Sequence, residues 1–524
     1  MEIEMNTRTQ QTETGPMMKT TTPVFAAFDR YSFGKTSLVA AVALLAGGAT
    51  ATAGAQTLAE EGYTLIWEEQ FDGDSLNLSN WEYMYGTGAQ FGLNGWGNDE
   101  LQYYTDREQN IRVENGELFI TARRENFGGR QYTSARIRSF DRFTTRYGRI
   151  EASINLPVGE GLWPAFWMMP EDSVYGGWPL SGEIDIMEAS QDANHVSGAI
   201  HFGNTWPGNQ YRSSGINGNF GNSHHVYAVE WEPDRIRWYV DGELFMAQYE
   251  NNWFSGAATN DPNAPFDQDF HILLNMAVGG NFVPNPSPSS PFPKTMSVDY
   301  VRVYEQLQTP FHGAPADLTQ GVEAEDFDHG YRFQSYDDTS LFNEGTEYRR
   351  EDGVDIEECS EGGYNIGFIE PGEWTEYTIN IPQSGLYRID ARVASASNGG
   401  SFRLLFDGAD YGADFIVPST GGWQNWVTTT AEIEIAAGDY VMRFESTTQP
   451  GEGFNLNWFS AEQTSGPCIA DVALPQGVLD LNDISVFSNA FINQIFVADL
   501  AEPFGTFDLA DISAFVSSFL SGCP

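Results

Sequence analysis

The segment at residues 182–189 constrains the fold more than any other part of the chain. It reads GEIDIMEA and places Glu183, Asp185 and Glu188 among Ile and Met residues. The β-branched residues favour a strand, and carboxylates in an apolar strand are costly to bury unless they are paired or protonated. In a regular strand Glu188 points away from the face that Glu183 and Asp185 share. A β-bulge at residues 186–187 would turn it back, so we predict a bulged strand whose three acids line one cleft.

Three crowded carboxylates suit acid and base catalysis. Their pKa values are driven apart, so that one stays ionised as a nucleophile while another is held protonated as an acid. Retaining glycoside hydrolysis needs two such carboxyl groups about 5–5.5 Å apart. The alternatives are a calcium site or a solvated acidic strand face. Ile184, Ile186 and Met187 argue against a solvated face, and calcium loops use Gly, Asn and Asp turns rather than strand formers.

Composition and texture divide the chain into three folded parts. Residues 57–307 and 318–463 consist of short alternating runs separated by Gly, Asn and Pro turns, which is typical of β sandwiches. A linker at residues 308–317 separates them. Residues 468–524 repeat their own pattern after 28 residues, which predicts a duplicated loop–helix unit. The predicted fold class is therefore all-β, with two sandwiches and a small α-helical tail.

The charge and the N-terminus indicate an exported protein. A net charge of −47 repels phosphate backbones and anionic lipid, which argues against a nucleic-acid or membrane-surface partner. The apolar run at residues 37–46, followed by an A-x-A site at 53–55, predicts a signal peptide with a long leader over residues 1–55. The alternative, a membrane anchor, needs about 20 strongly apolar residues. We expect a secreted protein with no membrane span after cleavage.

Cysteine usage fits an oxidising compartment. Cys468 and Cys523 bracket the tail, so we expect a disulfide between them, with Cys359 left over. No Cys/His spacing resembles a zinc site.

The E-I-D-x-x-E pattern resembles glycoside hydrolase family 16, and specifically its laminarinase-like endo-β-1,3-glucanases. The resemblance covers most of residues 58–307 and includes WEEQFDG at 67–73, GWGNDELQYYT at 95–105, GLWPAFWMM at 161–169 and HFG at 201–203. It implies a jelly-roll sandwich and cleavage of β-1,3-glucan with retention through a glycosyl-enzyme intermediate. Carried over to this chain, Glu183 is the nucleophile, Glu188 the acid/base and Asp185 their electrostatic partner.

The same resemblance implies residues that bind substrate. Trp163, Trp167 and Trp178 match sugar-stacking platforms, and we assign Trp81 and Trp238 to the core. Asn98 and Glu100 match a loop on the glycone side of the cleaved bond. His201 matches a residue beside that bond, and Asp299 matches a structural calcium ligand. Gln70 replaces the usual Glu of the metal motif.

Two other functions remain open. An agarase or carrageenase would share the bulged strand, although sulfated galactans call for basic clefts and this chain has only 26 Lys and Arg residues. A non-catalytic glucan-binding protein is the third reading. Such proteins typically lose the carboxylates, whereas this chain keeps all three.

The second sandwich resembles carbohydrate-binding module family 6. The motifs are VEAEDF at 322–327, GYNIGFIEPGEWTEY at 363–377, GGWQNW at 421–426 and GFNLNWF at 453–459. The resemblance implies that Tyr348 and Trp423 clamp a sugar ring while Asn455 hydrogen-bonds it. It also implies a structural calcium at Glu323 and Glu325. The alternative is a spacer sandwich without a ligand.

The tail resembles dockerin-like duplicated calcium-loop modules. This implies docking to a protein or cell-surface partner, and calcium ligands among six acids, which are Asp471, Asp480, Asp483, Asp499, Asp508 and Asp511. The alternative is a metal-free helical pair stapled by the cysteines.

Overall fold

The computed structural model describes residues 62–190, 192–345, 348–349, 352–465, 470–473, 479–501 and 506–521. All of these fall within one compact unit, Thr52–Pro524. The predicted fold class is confirmed in these residues, where strands predominate and two α-helices lie near the C-terminus. The predicted signal peptide, Cys468 and Cys523 lie outside the described residues.

The first sandwich is built from two sheets of seventeen described strands. One sheet has the order β15-β14-β13-β8-β17-β5-β6-β3, with β1 beside β17 and β4 beside β5; the other has the order β12-β11-β10-β9-β16-β7-β2. The strands are β1 (Tyr63–Glu69), β2 (Glu82–Tyr83), β3 (Gln102–Tyr104), β4 (Ile111–Glu114), β5 (Glu117–Phe127), β6 (Arg130–Ser134), β7 (Arg136–Arg138), β8 (Gly148–Asn155), β9 (Leu162–Pro170), β10 (Glu183–Ala189), β11 (His195–Gly203), β12 (Asn209–Asn217), β13 (His225–Trp231), β14 (Arg235–Val240), β15 (Glu243–Tyr249), β16 (Phe270–Val278) and β17 (Lys294–Gln306).

The core between these sheets positions the acid-bearing strand. Ile184, Ile186 and Met187 of β10 are buried in it. Trp81 and Trp238 are fully buried there, as predicted. The Trp238 indole Nε1 donates to the Asp185 carbonyl at 2.8 Å. The core therefore holds the backbone of β10 at the point where the acids emerge.

The second sandwich follows directly. Its strands have the order β18-β23-β27-β24-β28-β22-β21, with β19, β20, β25 and β26 attached beside them. The segment predicted as a linker is partly ordered against this sandwich, since β18 pairs with β23 and Thr309 bridges to His329. The strands are β18 (Ala316–Asp317), β19 (Val322–Glu323), β20 (Tyr336–Asp337), β21 (Ile356–Glu358), β22 (Tyr364–Ile366), β23 (Trp374–Ile381), β24 (Gly385–Phe406), β25 (Ala409–Val417), β26 (Val427–Ile435), β27 (Gly438–Ser446) and β28 (Gly453–Ser465).

A row of buried ion pairs, which we name the charge ladder, lies on β8, β13 and β14 and the turn between the last two. Each of its side chains is at most 9% exposed, and successive pairs are 2.6–3.1 Å apart. Buried charges are tolerated when each is matched by an opposite one, and here acids and guanidinium groups alternate. The members of the ladder are Arg149, Glu151, Glu230, Glu232, Arg235 and Arg237.

The second sandwich packs against the same region of the first. Arg332 reaches Asp234 at 3.7 Å and Glu250 at 3.4 Å. The rings of Tyr249 and Phe342 have centroids 4.4 Å apart. These contacts lie beside the charge ladder, so the two sandwiches share an interface.

The tail contains helices α1 (Leu481–Ile492) and α2 (Leu509–Ser521). Phe487 and Phe515, which occupy equivalent places in the sequence repeat, stack at 4.0 Å. Asp480 and Asp483 form a capping box at the start of α1, a common helix N-terminal device. Among the described helices, none has the length and hydropathy needed to cross a membrane.

Short 3₁₀ turns complete the described elements. They are Ala89–Phe91, Asn94–Gly97, Glu250–Asn252, Leu318–Gln320 and Phe496–Ala498.

Candidate active site

The predicted bulge is present in β10. Pairing with β11 shifts register between Asp185 and Glu188, and pairing with β9 shifts between Asp185 and Met187. The irregularity falls at Ile186 and Met187, which are both buried, and Met187 pairs with Phe166 of β9, so Ile186 is the residue skipped on that side. Glu183 and Glu188 are partly exposed, whereas Asp185 is only 3% exposed. The bulge therefore compensates for the odd spacing of Glu188.

Neighbouring strands position each acid. Trp163 of β9 donates its indole N–H to Glu188 Oε1 at 2.8 Å. His201 of β11 stands opposite Glu183 in the register, and its Nε2 lies 3.3 Å from Asp185 Oδ2. Trp178 and Asp185 lie near enough to Glu183 to shift its pKa. Each carboxylate thus has a polar partner from a different element.

The acids perturb one another. Burial, and then the charge of Asp185, raise the pKa of Glu183 and of Glu188. Burial alone would lower the pKa of His201, but its close contact with Asp185 and the charges of the carboxylates raise that pKa to about 9. Because the groups interact strongly, they titrate as a set. A set with a raised carboxyl pKa beside an imidazolium can hold a proton on one glutamate near neutral pH.

The three predicted tryptophan platforms all lie close to these acids. Trp163 donates its hydrogen bond to Glu188, and the Trp178 ring lies 6.0 Å from that of His201. Trp167 of β9 pairs with Asp185 in the register and donates to Asn275 Oδ1 at 2.8 Å. Phe282 was not anticipated, because no motif marks it. Its ring centroid lies 5.0 Å from that of Trp163, and it is largely exposed.

The loop that carries Asn98 and Glu100 lies on the β16 side of the cleft. Leu101 N–H donates to the Val278 carbonyl at 2.9 Å. Asn98 is partly exposed, which is compatible with its predicted contact to substrate. The Glu100 carboxylate is buried and accepts hydrogen bonds from Gln102 and Tyr104, and its contact with substrate stays a prediction. Glu100 therefore supports the loop from inside.

Arg136 is a half-buried residue of this site that sequence reasoning missed. Its guanidinium lies 4.7 Å from the Trp96 ring centroid and 4.6 Å from that of Trp167. Glu100 and Glu183 supply opposite charge. Arg136 lies in a short strand and belongs to no recognised motif. It reaches the site because β7 pairs with β16.

The predicted sugar site of the second sandwich is partly assembled. Asn455 Nδ2 donates to Glu357 Oε2 at 2.7 Å and to the Trp423 carbonyl at 3.0 Å. The Trp423 side chain is 46% exposed. Tyr348 has other neighbours: its ring stacks on Tyr364 at 4.5 Å and its hydroxyl donates to Asp326. Its contact with sugar stays a prediction.

Phe368 is the exposed aromatic that sequence reasoning missed in this sandwich. It is 56% exposed and has a φ of 52°, a left-handed backbone conformation that is uncommon outside glycine. A side chain at Gly453 would lie 3.7 Å from the Trp423 ring and 3.9 Å from the Ile369 carbonyl. Trp423 and the loop of Phe368 therefore flank Gly453.

The predicted metal ligands do not gather into clusters of three. Across the part of the chain that the structure describes, one group of three His, Cys, Asp or Glu side chains has ligand atoms within 4.8 Å of one another, namely Glu183, Asp185 and His201. Asp299 is exposed on β17. In the tail, Asp483 and Asp511 accept backbone N–H groups. Calcium binding stays a prediction for all six tail acids, which are Asp471, Asp480, Asp483, Asp499, Asp508 and Asp511.

Two stretches match known families. Residues 97–272 match Glycosyl hydrolases family 16, and residues 344–463 match Carbohydrate binding module (family 6). Over 266 residues the chain is 46% identical to a glucan endo-1,3-beta-glucosidase A1 of Niallia circulans, covering 47% of this chain and 38% of that protein. Over 264 residues it is 40% identical to a beta-glucanase of Rhodothermus marinus, covering 47% of this chain and 86% of that protein. The X-ray structure of the laminarinase from Rhodothermus marinus is 39% identical, with a TM-score of 0.42, and the match covers 47% of this chain and 98% of that one.

Paired glutamates on a bulged strand, in a chain with these relatives, define a glycoside hydrolase. The match spans well under two thirds of the Niallia circulans protein and most of the Rhodothermus marinus one. The chain belongs to glycosyl hydrolase family 16, and its second sandwich is a family 6 carbohydrate-binding domain.

Proposed function

We propose that the protein is a secreted endo-β-1,3-glucanase that acts on laminarin-type glucan with retention of configuration. The observation that carries the proposal is the bulge that brings Glu183 and Glu188 to one cleft around Asp185. The names of the relatives, a glucan endo-1,3-beta-glucosidase and a beta-glucanase, support glucan as the substrate. Export rests on the signal-like N-terminus alone.

The two glutamates divide the chemistry between them. Glu183 attacks the anomeric carbon, while Glu188 gives its proton to the departing glycosidic oxygen and the carbon–oxygen bond breaks. Glu188, now ionised, takes a proton from water, whose oxygen displaces Glu183 and restores the original configuration. The charges of Asp185 and His201 affect how readily the two glutamates gain or lose a proton. The Trp163 indole N–H positions Glu188 through a hydrogen bond of 2.8 Å.

Glucan is favoured over sulfated galactan by the charge of the cleft. Among the described residues around the acids, the guanidinium of Arg136 is enclosed between Trp96 and Trp167, so it is not displayed to a sulfate group. A glucan-binding protein without catalytic activity would not need Glu188 held by Trp163, nor Glu183 and Asp185 beside it.

The test is reducing-end release by the full chain from laminarin, agarose and κ-carrageenan. We expect release from laminarin, with the β-anomer appearing first by NMR. Activity confined to a galactan would refute the substrate, an initial α-anomer would refute retention, and a folded but inactive chain would support the binding-protein alternative.

The Asp185→Asn chain should have its pH–activity profile displaced toward acid. The charge of Asp185 raises the pKa of Glu188, so removing that charge lets Glu188 lose its proton at lower pH. We expect the alkaline limb of kcat/KM on laminarin to fall by about 1 pH unit. Asp192→Asn, at an exposed acid, is the control. An alkaline limb that stays in place or moves upward would contradict this electrostatic coupling.

We further propose that Trp423 and Phe368 bind glucan at the second sandwich, with Asn455 and Glu357 beneath them. Trp423→Ala and Phe368→Ala should each weaken binding to an insoluble β-1,3-glucan about 10-fold through lost ring stacking. Hydrolysis of laminarihexaose, which is short and soluble, should be unchanged. Tyr411→Ala is the control, and unaltered binding by both variants would exclude this surface.

Calcium is proposed at the second sandwich, where the residues present fit it. Glu325 Oε2 and Asn457 Oδ1 are buried without a hydrogen-bond partner, and burial raises the pKa of Glu325 to about 7. A bound cation would keep that carboxylate ionised. Glu325 and Asn457, together with Glu323, would hold the ion, which would be structural.

We propose that the tail is a dockerin-like docking module. Support comes from its duplicated sequence and from the equivalent pairing of Phe487 with Phe515 across two helices. Pull-down of a protein or cell-surface partner by the full chain, and not by a chain lacking residues 468–524, is the expected result.

A further inference from the structure

A serine, a histidine and an aspartate are joined by hydrogen bonds at the start of β13, which belongs to the sheet opposite β10. Ser223 Oγ lies 3.2 Å from Nε2 of His225, and Nδ1 of the same ring lies 2.6 Å from Asp241 Oδ2. We name these three residues the serine triad. A hydroxyl, an imidazole and a carboxylate joined in this order activate a serine for acyl transfer, whatever their order along the chain.

The hairpin after β14 holds the carboxylate of the triad. Asp241 and Gly242 form the two-residue turn between β14 and β15, and their φ angles of 52° and 82° are both positive, as a type I′ turn requires. Asp241 Oδ1 accepts the Val226 N–H at 2.9 Å, and the Asp241 N–H donates to the Val226 carbonyl at 2.8 Å. The turn and these two bonds direct the second carboxylate oxygen at His225.

The imidazole of the triad is held in one orientation. The Phe220 ring meets the His225 ring edge to face, with centroids 5.3 Å apart and planes at 82°. Phe220 is buried, and its N–H donates to the Ala193 carbonyl at 2.9 Å. Because Asp241 accepts from Nδ1, a neutral imidazole carries its proton there, and Nε2 is left to accept the hydroxyl proton of Ser223. This is the tautomer that a general base needs.

The hydroxyl of Ser223 is open to a ligand, since the residue is exposed. Within the described part of the chain, the backbone N–H groups of Asn222 and Ser223 donate to no protein acceptor. N–H groups beside a nucleophile can stabilise the oxyanion that forms when a carbonyl is attacked. Because the serine stands on the surface, it suits an ester with a small acyl group, such as an acetyl ester, whose alcohol part can remain in solvent.

We propose that the serine triad hydrolyses small carboxylic esters, an activity separate from glucan cleavage. Ser223 Oγ attacks the carbonyl carbon and gives its proton to His225 Nε2. The bond from that carbon to the alcohol oxygen breaks, and the alcohol leaves with the proton from the imidazole. Water then attacks the acyl-serine, its proton returns through His225 to Ser223 Oγ, and the carboxylic acid leaves. Asp241 touches no substrate, so it is a positioning residue.

Release of p-nitrophenolate from p-nitrophenyl acetate by the full chain tests the proposal. We expect Ser223→Ala and His225→Gln to lower the protein-dependent rate about 10²-fold or more. Asp241→Asn should lower it at least about 10-fold, because an amide N–H aimed at Nδ1 favours the tautomer that cannot take the serine proton. The amide oxygen can still accept the Val226 N–H, so the unfolding temperature of Asp241→Asn should stay that of wild type.

Three control variants should keep the wild-type rate on the ester. His195→Gln and Ser289→Ala remove an exposed imidazole and an exposed hydroxyl elsewhere, and Glu183→Ala removes a residue that the ester does not need. Diisopropyl fluorophosphate should form a phosphorus–oxygen bond to Ser223 with loss of fluoride, which peptide mass spectrometry detects.

Three results would overturn the proposal. One is a wild-type chain that hydrolyses the ester no faster than Ser223→Ala does. Another is an unchanged rate in Asp241→Asn, since the carboxylate would then play no part. The third is an organophosphate adduct found only on residues other than Ser223. Because Glu183→Ala keeps the serine triad, the ester assay gives its answer whether or not the glucanase proposal holds.

Discussion

The Glu183→Ala chain is expected to bind laminarihexaose and to hydrolyse it about 10³-fold more slowly, or slower still. The methyl group cannot attack the anomeric carbon, while Trp163, Trp178 and the Asn98 loop stay in place to hold the sugar. Initial rates of reducing-end release measure the loss. Because truncation leaves a space the size of a carboxylate, azide should enter it and react with 2,4-dinitrophenyl β-laminaribioside from the α face. The product is then an α-glycosyl azide.

The stereochemistry of that product separates Glu183 from a merely structural residue. A variant that misplaces the cluster would lose activity without azide rescue. Glu108→Ala, which removes an exposed carboxylate, should match wild type. A β-glycosyl azide from Glu183→Ala would contradict the assignment, since it would mean that a nucleophile other than Glu183 had already formed the intermediate.

The Glu188→Ala chain should lose activity in proportion to how poor the leaving group is. Laminarin needs a proton on its departing oxygen, so its hydrolysis should fall by about 10²–10⁴-fold. A dinitrophenolate leaves without a proton, so 2,4-dinitrophenyl β-laminaribioside should give a rapid burst followed by slow turnover. The slow step is attack by water without its base. Stopped-flow absorbance measures both phases.

Azide also distinguishes this variant. It needs no base, so it should accelerate turnover of the Glu188→Ala intermediate and give a β-glycosyl azide. Trp163→Phe, which keeps the acid but removes its 2.8 Å hydrogen bond, is the matched comparison and should show a much smaller loss on laminarin without a burst. Equal losses by Glu188→Ala on laminarin and on the dinitrophenyl glycoside would contradict the acid role.

The local sequence predicted the bulged strand β10, because the spacing of the residues within that strand is what requires the bulge. Three acids at a fixed spacing among apolar residues need a bulge, and β10 has one. The same holds for Trp81 and Trp238, whose burial was predicted. Arg136 could not be found this way, since its place beside Glu183 depends on strands far apart in sequence. Glu100 was assigned from a loop motif, and a motif does not say which side of the loop faces the core.

In the second sandwich, too, some features could be predicted from the local sequence and others depend on tertiary packing. Asn455 of β28 and Trp423 of the loop between β25 and β26 lie together, since the Asn455 amide donates to the Trp423 carbonyl; their binding of sugar stays a prediction. Tyr348 lies in a long connection whose course depends on tertiary packing, and it stacks on Tyr364. Phe368 stood inside a recognised motif, GYNIGFIEPGEW, and an apolar residue in a loop after a strand was the available signal.

Packing of the second sandwich beside the charge ladder affects how the enzyme meets a polymer. A flexible tether would let a binding domain search a volume around the cleft, so that its effective concentration depends on tether length. Here Arg332 and the ring pair of Tyr249 and Phe342 join the sandwiches directly, so the cleft and the proposed sugar-binding surface of the second sandwich keep one mutual orientation. A glucan gains avidity only when its own helical path spans both surfaces at once. Polymer conformation thereby becomes a second criterion of selection, separate from the linkage that the cleft recognises.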